Sequence, residues 1–129
     1  MSFFELLNKR IDQTGACLMV GLDCHAADLS EQTGTAAFDF CRRIIDETKH
    51  VAVGYKPNAA FFERLGKDGA EALEKVIAYI PQDIPVLLDA KRGDIGSTCD
   101  AYADATFAVN NVSLFCQLCH NLMRESFRC

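Results

Sequence analysis

The chain has 129 residues, of which half are hydrophobic and 24% are charged, and this composition favours one globular domain over a disordered or fibrous chain. No apolar run approaches the roughly 20 residues of a membrane span, and the first residues lack the pattern of a secretory signal. Thirteen Lys and Arg against 18 Asp and Glu give a net charge of −5, which argues against a broad nucleic-acid surface. We therefore expect a cytoplasmic protein with free thiols and with neither a membrane nor a nucleic-acid partner.

Strand-like and helix-like segments alternate along most of the chain. A capping box at Ser2 and Glu5 predicts a first helix over residues 3–13. Short apolar runs predict strands over residues 17–23, 51–56 and 86–91. Apolar residues at helical spacing predict helices over residues 36–49 and 60–65 and, after a glycine interruption at 66–69, a helical stripe at residues 73–80. A further helix is predicted from a cap at Ser97 or Thr98 to about residue 109. This alternation is typical of a parallel sheet with crossover helices, as in a (β/α)8 barrel or a doubly wound sheet.

Charged residues end all three predicted strands and share one face by the two-residue alternation of a strand. They are Asp23 on the first strand, Lys56 on the second, and Asp89 and Lys91 on the third. A glycine stands two residues before each of the first two, which we expect to leave space on that face. Barrel enzymes carry their chemistry at the carboxyl ends of their strands, so these residues are predicted to converge there.

The densest cluster of charge lies at residues 89–94. A lysine held between Asp89 and Asp94 would stay protonated, which suits Lys91 to be a positioned proton donor rather than a Schiff-base nucleophile. The alternative interpretation is an ion-pair network with a structural role only.

Three motifs resemble the signature of orotidine 5′-phosphate decarboxylases. In chain order they are VGLD at residues 20–23, YKPN at 55–58 and LDAKRGDIGST at 88–98. The resemblance covers residues 1 to about 111 and implies the first three βα units of a (β/α)8 barrel. It also implies a homodimer without metal or organic cofactor that converts orotidine 5′-phosphate to UMP in de novo pyrimidine synthesis.

The resemblance also implies roles for individual residues. Lys91 corresponds to the lysine that protonates C6 after CO2 has left, and Asp89 to the carboxylate beside the substrate's own carboxylate. Lys56 corresponds to the lysine between the ribose and Asp89, and Asp94 to the carboxylate contributed across the dimer interface.

Four further positions are implied to bind substrate. Asp23 resembles a ligand of a ribose hydroxyl, and Asn58 belongs to the second motif without a defined role. Ile95 and Thr98 accompany the interface carboxylate.

Residues 112–129 lie outside this pattern and are predicted to be a divergent tail, typical of a truncated or misread end. Apolar residues at 114, 118 and 122 predict a loosely docked helix rather than a packed fourth βα unit. The string Cys116-Gln117-Leu118-Cys119-His120 has the spacing of a haem attachment site, and with Cys129 it could be read as a zinc set. Without an export signal or a second ligand pair, we interpret it as a chance string.

Three functional hypotheses follow. The chain is the first half of an orotidine 5′-phosphate decarboxylase, with an optional fusion to an orotate phosphoribosyltransferase. Alternatively, it is a non-catalytic half-barrel that persists by pairing its open edge with another chain. A phosphosugar synthase or epimerase is the third, and the intact run at residues 89–98 argues against it.

Overall fold

The computed structural model describes residues 2–92, 94–108, 112 and 114–116. Its helices are α1 (Phe3–Thr14), α2 (Gly34–Thr48), α3 (Ala59–Glu63), α4 (Gly66–Tyr79) and α5 (Gly96–Ala108), with one turn of 3-10 helix at Ala26–Asp28. Its strands are β1 (Leu18–Leu22), β2 (Ala52–Pro57), β3 (Leu87–Asp89) and β4 (Leu114–Cys116). None of the described helices is long and apolar enough to cross a membrane.

The capping box at the start of α1 is confirmed. The Ser2 hydroxyl accepts a hydrogen bond from the Glu5 amide at 3.3 Å, and the Glu5 carboxylate accepts one from the Ser2 amide at 2.7 Å. The helix ends at Gly15, whose φ of 64° suits glycine. This helix precedes β1 in the chain and packs against β2, so it lies beside the sheet and is not one of the crossover helices.

The four strands are parallel and follow one another in chain order. Pairing joins β1 to β2 and β3 to β4. The Tyr55 amide donates to the Pro85 carbonyl at 3.0 Å, and a parallel bridge from Asn58 to Asp89 completes the link between β2 and β3. A doubly wound sheet reverses its strand order, whereas a barrel does not, so the order selects the barrel.

The main core lies between the sheet and the helices α2 and α4. Its largest members are fully buried, among them Leu22, Ile45, Tyr55, Phe62 and Ile77. The buried Tyr55 hydroxyl donates to the Ile45 carbonyl at 3.2 Å, so the one polar atom of this ring has a partner inside the core.

The opposite face of the sheet carries the charged residues, as the alternation predicts. In β3 and just beyond it, Leu88 and Ala90 are buried, while Leu87 and Asp89 are half-buried. The expected space beneath the charges is not open at the second strand. A Cβ at Gly54 would lie 2.8 Å from the Cε atom of Met19, because the flexible methionine fills this position.

Two predicted helix starts differ from the structure. Residues 66–69 do not interrupt a helix but begin α4, and Gly69 allows this turn to approach the Phe62 carbonyl and the Leu65 side chain closely. The last helix begins at Gly96, where the Ile95 carbonyl accepts the first helical hydrogen bonds, so the predicted cap at residue 97 or 98 is wrong.

The predicted helix in the tail is also wrong for residues 114–116. These residues form β4, with Leu87 paired to Leu114 and Asp89 to Cys116. Helical spacing of leucines gives way here because the free edge of β3 offers backbone donors and acceptors to an extended chain. Residues 117–129 lie outside the described part of the chain.

The cysteine expectation can be compared with the described part of the chain. Cys17, Cys24 and Cys41 are free thiols there, as expected. Cys24 and Cys41 are buried in the main core.

Candidate active site

Asp89 lies between two lysines at the carboxyl ends of β2 and β3. Its Oδ2 atom is 3.2 Å from Nζ of Lys56, and its Oδ1 atom is 3.2 Å from Nζ of Lys91. The Asp89 side chain is 21% exposed and Lys91 is 61% exposed, so the cluster reaches from the sheet to the surface. Two ammonium groups around one carboxylate leave this point locally positive in a chain of net negative charge.

The two lysines keep the carboxylate ionised. Partial burial raises the pKa of Asp89, but hydrogen bonds from Lys56 and Lys91 outweigh burial and hold that pKa below its ordinary value. The Asp89 carboxylate is therefore ionised at neutral pH.

This arrangement differs from the one predicted for Lys91. The sequence predicts a lysine between two carboxylates, whereas the described structure has a carboxylate between two lysines. Asp94 forms no ion pair with any described residue. Its Oδ1 atom instead accepts a hydrogen bond from the Ile95 amide at 2.8 Å, because the chain turns into α5 at this point.

Asp23 and Asn58 lie at the same end of the sheet. Leu22 pairs with Pro57 and Asn58 pairs with Asp89, so Asn58, rather than Lys56, is level with Asp89. The Asn58 side chain caps α3 by accepting from the Ala60 amide at 3.2 Å. Within the described residues, the buried Oδ1 atom of Asp23 has no hydrogen-bond partner.

The remaining predicted residues stand at the beginning of α5. Ile95 is 70% exposed, and Thr98 is half-buried in the first turn. The structure thus brings together Lys56, Asp89 and Lys91, and it leaves Ile95 turned towards solvent.

Two arginines near the site were not singled out by the sequence. Arg92 contacts α3 and α5, and Arg64 donates to the Cys24 carbonyl at 3.2 Å, directly after Asp23. Arg92 stands inside the third motif, which is the one signal that could have indicated it. Nothing local distinguishes Arg64, because its partner lies 40 positions away in sequence.

The described residues contain no group of three or more metal-ligating side chains. Four members of the predicted haem or zinc string, at positions 117–120, and Cys129 lie outside the described residues.

Comparison with known proteins places these residues in a family. The family model for orotidine 5′-phosphate decarboxylase / HUMPS matches residues 17–117, a range that includes β4. A curated orotidine 5′-phosphate decarboxylase from Halorubrum lacusprofundi is 51% identical over 109 residues, covering 81% of this chain and 39% of that protein.

Solved structures agree with this match. A crystal structure of a candidate orotidine-monophosphate decarboxylase from Toxoplasma gondii has a TM-score of 0.87 and 51% identity, covering 90% of this chain and 41% of that one. The UMP synthase of Leishmania donovani has a TM-score of 0.80 and 47% identity, covering 91% of this chain and 25% of that one. The chain spans about two fifths of the decarboxylases it matches. With its parallel strands in barrel order, the chain belongs to the orotidine 5′-phosphate decarboxylase family.

Proposed function

We propose that this chain supplies the reacting end of an orotidine 5′-phosphate decarboxylase, which releases CO2 from its substrate and yields UMP. The observation that carries the proposal is the position of Asp89 between Lys56 and Lys91, both at 3.2 Å. These three charged residues lie at the carboxyl ends of parallel strands, which is where barrel enzymes hold their reacting groups.

Lys91 is the proton donor in this proposal. Loss of CO2 leaves carbanion character at C6 of the pyrimidine, and an ammonium fixed beside it stabilises charge that develops in the transition state. The lysine then transfers a proton to C6. Its partner Asp89 supports this role, because the ion pair at 3.2 Å holds the ammonium beside the carboxylate.

Asp89, Lys56 and two neighbours bind and orient the substrate. Asp89 would face the substrate carboxylate, and the repulsion between them would vanish as CO2 departs. Lys56 would bridge Asp89 and the ribose, and Asp23 would bind a ribose hydroxyl. The buried Oδ1 atom of Asp23, which has no hydrogen-bond partner among the described residues, supports this assignment. Asn58 is level with Asp89, which supports a place for it beside the substrate.

The proposed assembly is a homodimer in which Asp94, Ile95 and Thr98 serve the partner's site. The exposure of Ile95 and the absence of an ion pair for Asp94 within the described residues support this arrangement. The similarity to a UMP synthase supports an optional fusion to an orotate phosphoribosyltransferase. We also propose a cytoplasmic location, no metal or organic cofactor, and a divergent tail, now limited to the residues after 117, without a part in the site.

A chimera tests the proposed activity. It joins residues 1–117 of this chain to the remaining part of the Halorubrum relative, and CO2 release from orotidine 5′-phosphate is measured. We expect activity in the chimera, and its loss by at least about 10²-fold in Lys91→Ala, since general acid catalysis alone contributes that much. Lys67→Ala is the matched control, because Lys67 is an exposed lysine on α4. Equal activity of the two variants would contradict the role of Lys91.

The second candidate is a half-barrel without activity that associates with another chain. Within the described residues β1 pairs only with β2, and Leu18 on β1 is 48% exposed, which favours association along this edge. We expect the 129-residue chain to release no CO2 by itself and Lys91→Ala to change nothing there. Activity of the isolated chain that disappears in Lys91→Ala would contradict this second candidate and leave the decarboxylase proposal standing.

A further inference from the structure

The segment between β3 and α5 carries Lys91 but belongs to neither element. The strand ends at Asp89 and the helix begins at Gly96, so Lys91 lies beyond the regular hydrogen bonds of both. Its side chain is mostly exposed and its described ionic partner is Asp89, two residues earlier. A long side chain on such a segment keeps a fixed position only if other contacts hold the backbone.

Arg92 makes contacts that can hold this segment on three sides. One guanidinium nitrogen donates to the Lys91 carbonyl at 3.1 Å, and another binds the Glu63 carboxylate on α3. The guanidinium carbon also lies 5.7 Å from the ring centroid of Tyr102 on α5. A planar guanidinium can bind a carboxylate at its edge and an aromatic ring at its face, which an ammonium group does less well.

The Arg92 side chain is 28% exposed, compared with 61% for Lys91. The more buried residue thus joins α3, α5 and the Lys91 carbonyl, while its neighbour extends towards solvent. This division of roles between adjacent residues is difficult to explain by a surface ion pair alone, because such a pair needs neither the carbonyl nor the ring.

We propose that Arg92 is a positioning residue. It holds Lys91 beside Asp89 by binding the segment between β3 and α5 to the helices α3 and α5. The effect of Arg92 on decarboxylation rests on the function proposed above. The effect of Arg92 on the position of Lys91 does not depend on that function. Arg92 therefore acts through Lys91 and need not touch the substrate.

The test compares lysine resonances in the 129-residue chain. With lysine labelled by ¹³C at Cε, the signals of Lys56 and Lys91 are assigned and followed in Arg92→Ala. We expect the Lys91 signal to move towards that of the exposed Lys67, while Lys56 keeps its signal because its own strand is unchanged. Amide exchange of residues 90–95 should rise about tenfold or more as local opening becomes easier.

Two further variants separate positioning from general loss of structure. Arg64→Ala is the control, since Arg64 directly follows α3 but its side chain contacts Cys24 and Gln32 rather than the segment between β3 and α5. Arg92→Lys keeps the charge, and in this variant the Lys91 resonance should lie between its positions in the wild type and in Arg92→Ala. If Arg92→Ala does not fold, Glu63→Ala removes one of the three contacts and should move the Lys91 signal in the same direction by less.

An unchanged Lys91 signal in folded Arg92→Ala, or equal shifts of Lys56 and Lys91, would overturn the proposal. Neither measurement uses substrate. A chimera without decarboxylase activity would therefore refute the proposed function while leaving the positioning of Lys91 to stand or fall by its own resonances.

Discussion

Arg10 on α1 offers the clearest test of how the N-terminal side of the sheet is held. Its side chain is 12% exposed, and its Nε atom donates to the Ala52 carbonyl at 3.1 Å. A second nitrogen donates to the Lys49 carbonyl, and a third pairs with Asp83 at 3.2 Å. Arg10→Met keeps the apolar stem of the side chain and removes all three contacts.

The expected loss of stability follows from these contacts. Two hydrogen bonds from a charged donor to backbone carbonyls contribute at least about 1.5 kcal/mol each, which is about 3 kcal/mol together. The pair with Asp83 adds less than about 1 kcal/mol, because Asp83 is mostly exposed. With a urea dependence of about 2 kcal/mol per molar, the midpoint of unfolding should fall by about 1.5 M.

Urea unfolding followed by circular dichroism measures this change. Arg42→Met is the matched control, since Arg42 pairs with Asp39 at 3.4 Å and both side chains are exposed. The control should lose less than about 0.5 kcal/mol. A loss below about 1 kcal/mol in Arg10→Met, or equal losses in both variants, would refute the reasoning and indicate that water replaces the arginine at these carbonyls.

Three further predictions concern the site and the helix starts. The pKa of Asp89 is lowered in the folded state, so its stabilisation is complete above the unfolded value of about 3.9 and is lost as the pH falls through the folded value. Urea unfolding should therefore show a stability advantage of wild type over Asp89→Asn that is larger at pH 6 than at pH 2.5; a constant difference would contradict it. In urea unfolding, Gly69→Ala should lower the free energy of unfolding by about 2 kcal/mol, because its Cβ would clash with the Phe62 carbonyl and lie 2.8 Å from the Leu65 Cβ atom; an unchanged free energy would contradict this. In the same experiment Gly96→Ala should raise the free energy of unfolding by about 0.5 kcal/mol, since a Cβ there would meet no described residue beyond its own helix and chain neighbours within 4 Å, and a loss of stability would be the contrary result.

The shared face of the charged residues could be predicted because strand alternation is a local property. Alternation fixes which residues of one strand share a face, such as Asp89 and Lys91, whereas a shared face for Lys56 and Asp89 also depends on register; the structure brings these two within 3.2 Å. The register could not be predicted in this way. The pairing places Asn58, two residues beyond Lys56, level with Asp89, since register depends on contacts between strands.

The tail and the arginine contacts needed the tertiary structure for a similar reason. Leucine spacing in residues 114–122 favours a helix when it is considered alone. In the structure Leu114–Cys116 instead form a strand, because they pair with the edge of β3. Arg92 is separated from Glu63 by 29 positions, and a local sequence pattern cannot predict a contact at that distance along the chain.

The alternation of elements, the capping box and the family motifs were therefore determined by the sequence by itself, because each depends on neighbours within a few residues. The alternation of elements left a barrel and a doubly wound sheet open; the family motifs implied the barrel, and the strand order in the structure confirmed it. Only the tertiary structure decided the register of the strands. It alone also decided the carboxylate between two lysines and the contacts of Arg92 with α3 and α5. These features depend on which distant segments meet, and that is set by the packing of the whole sheet and its helices.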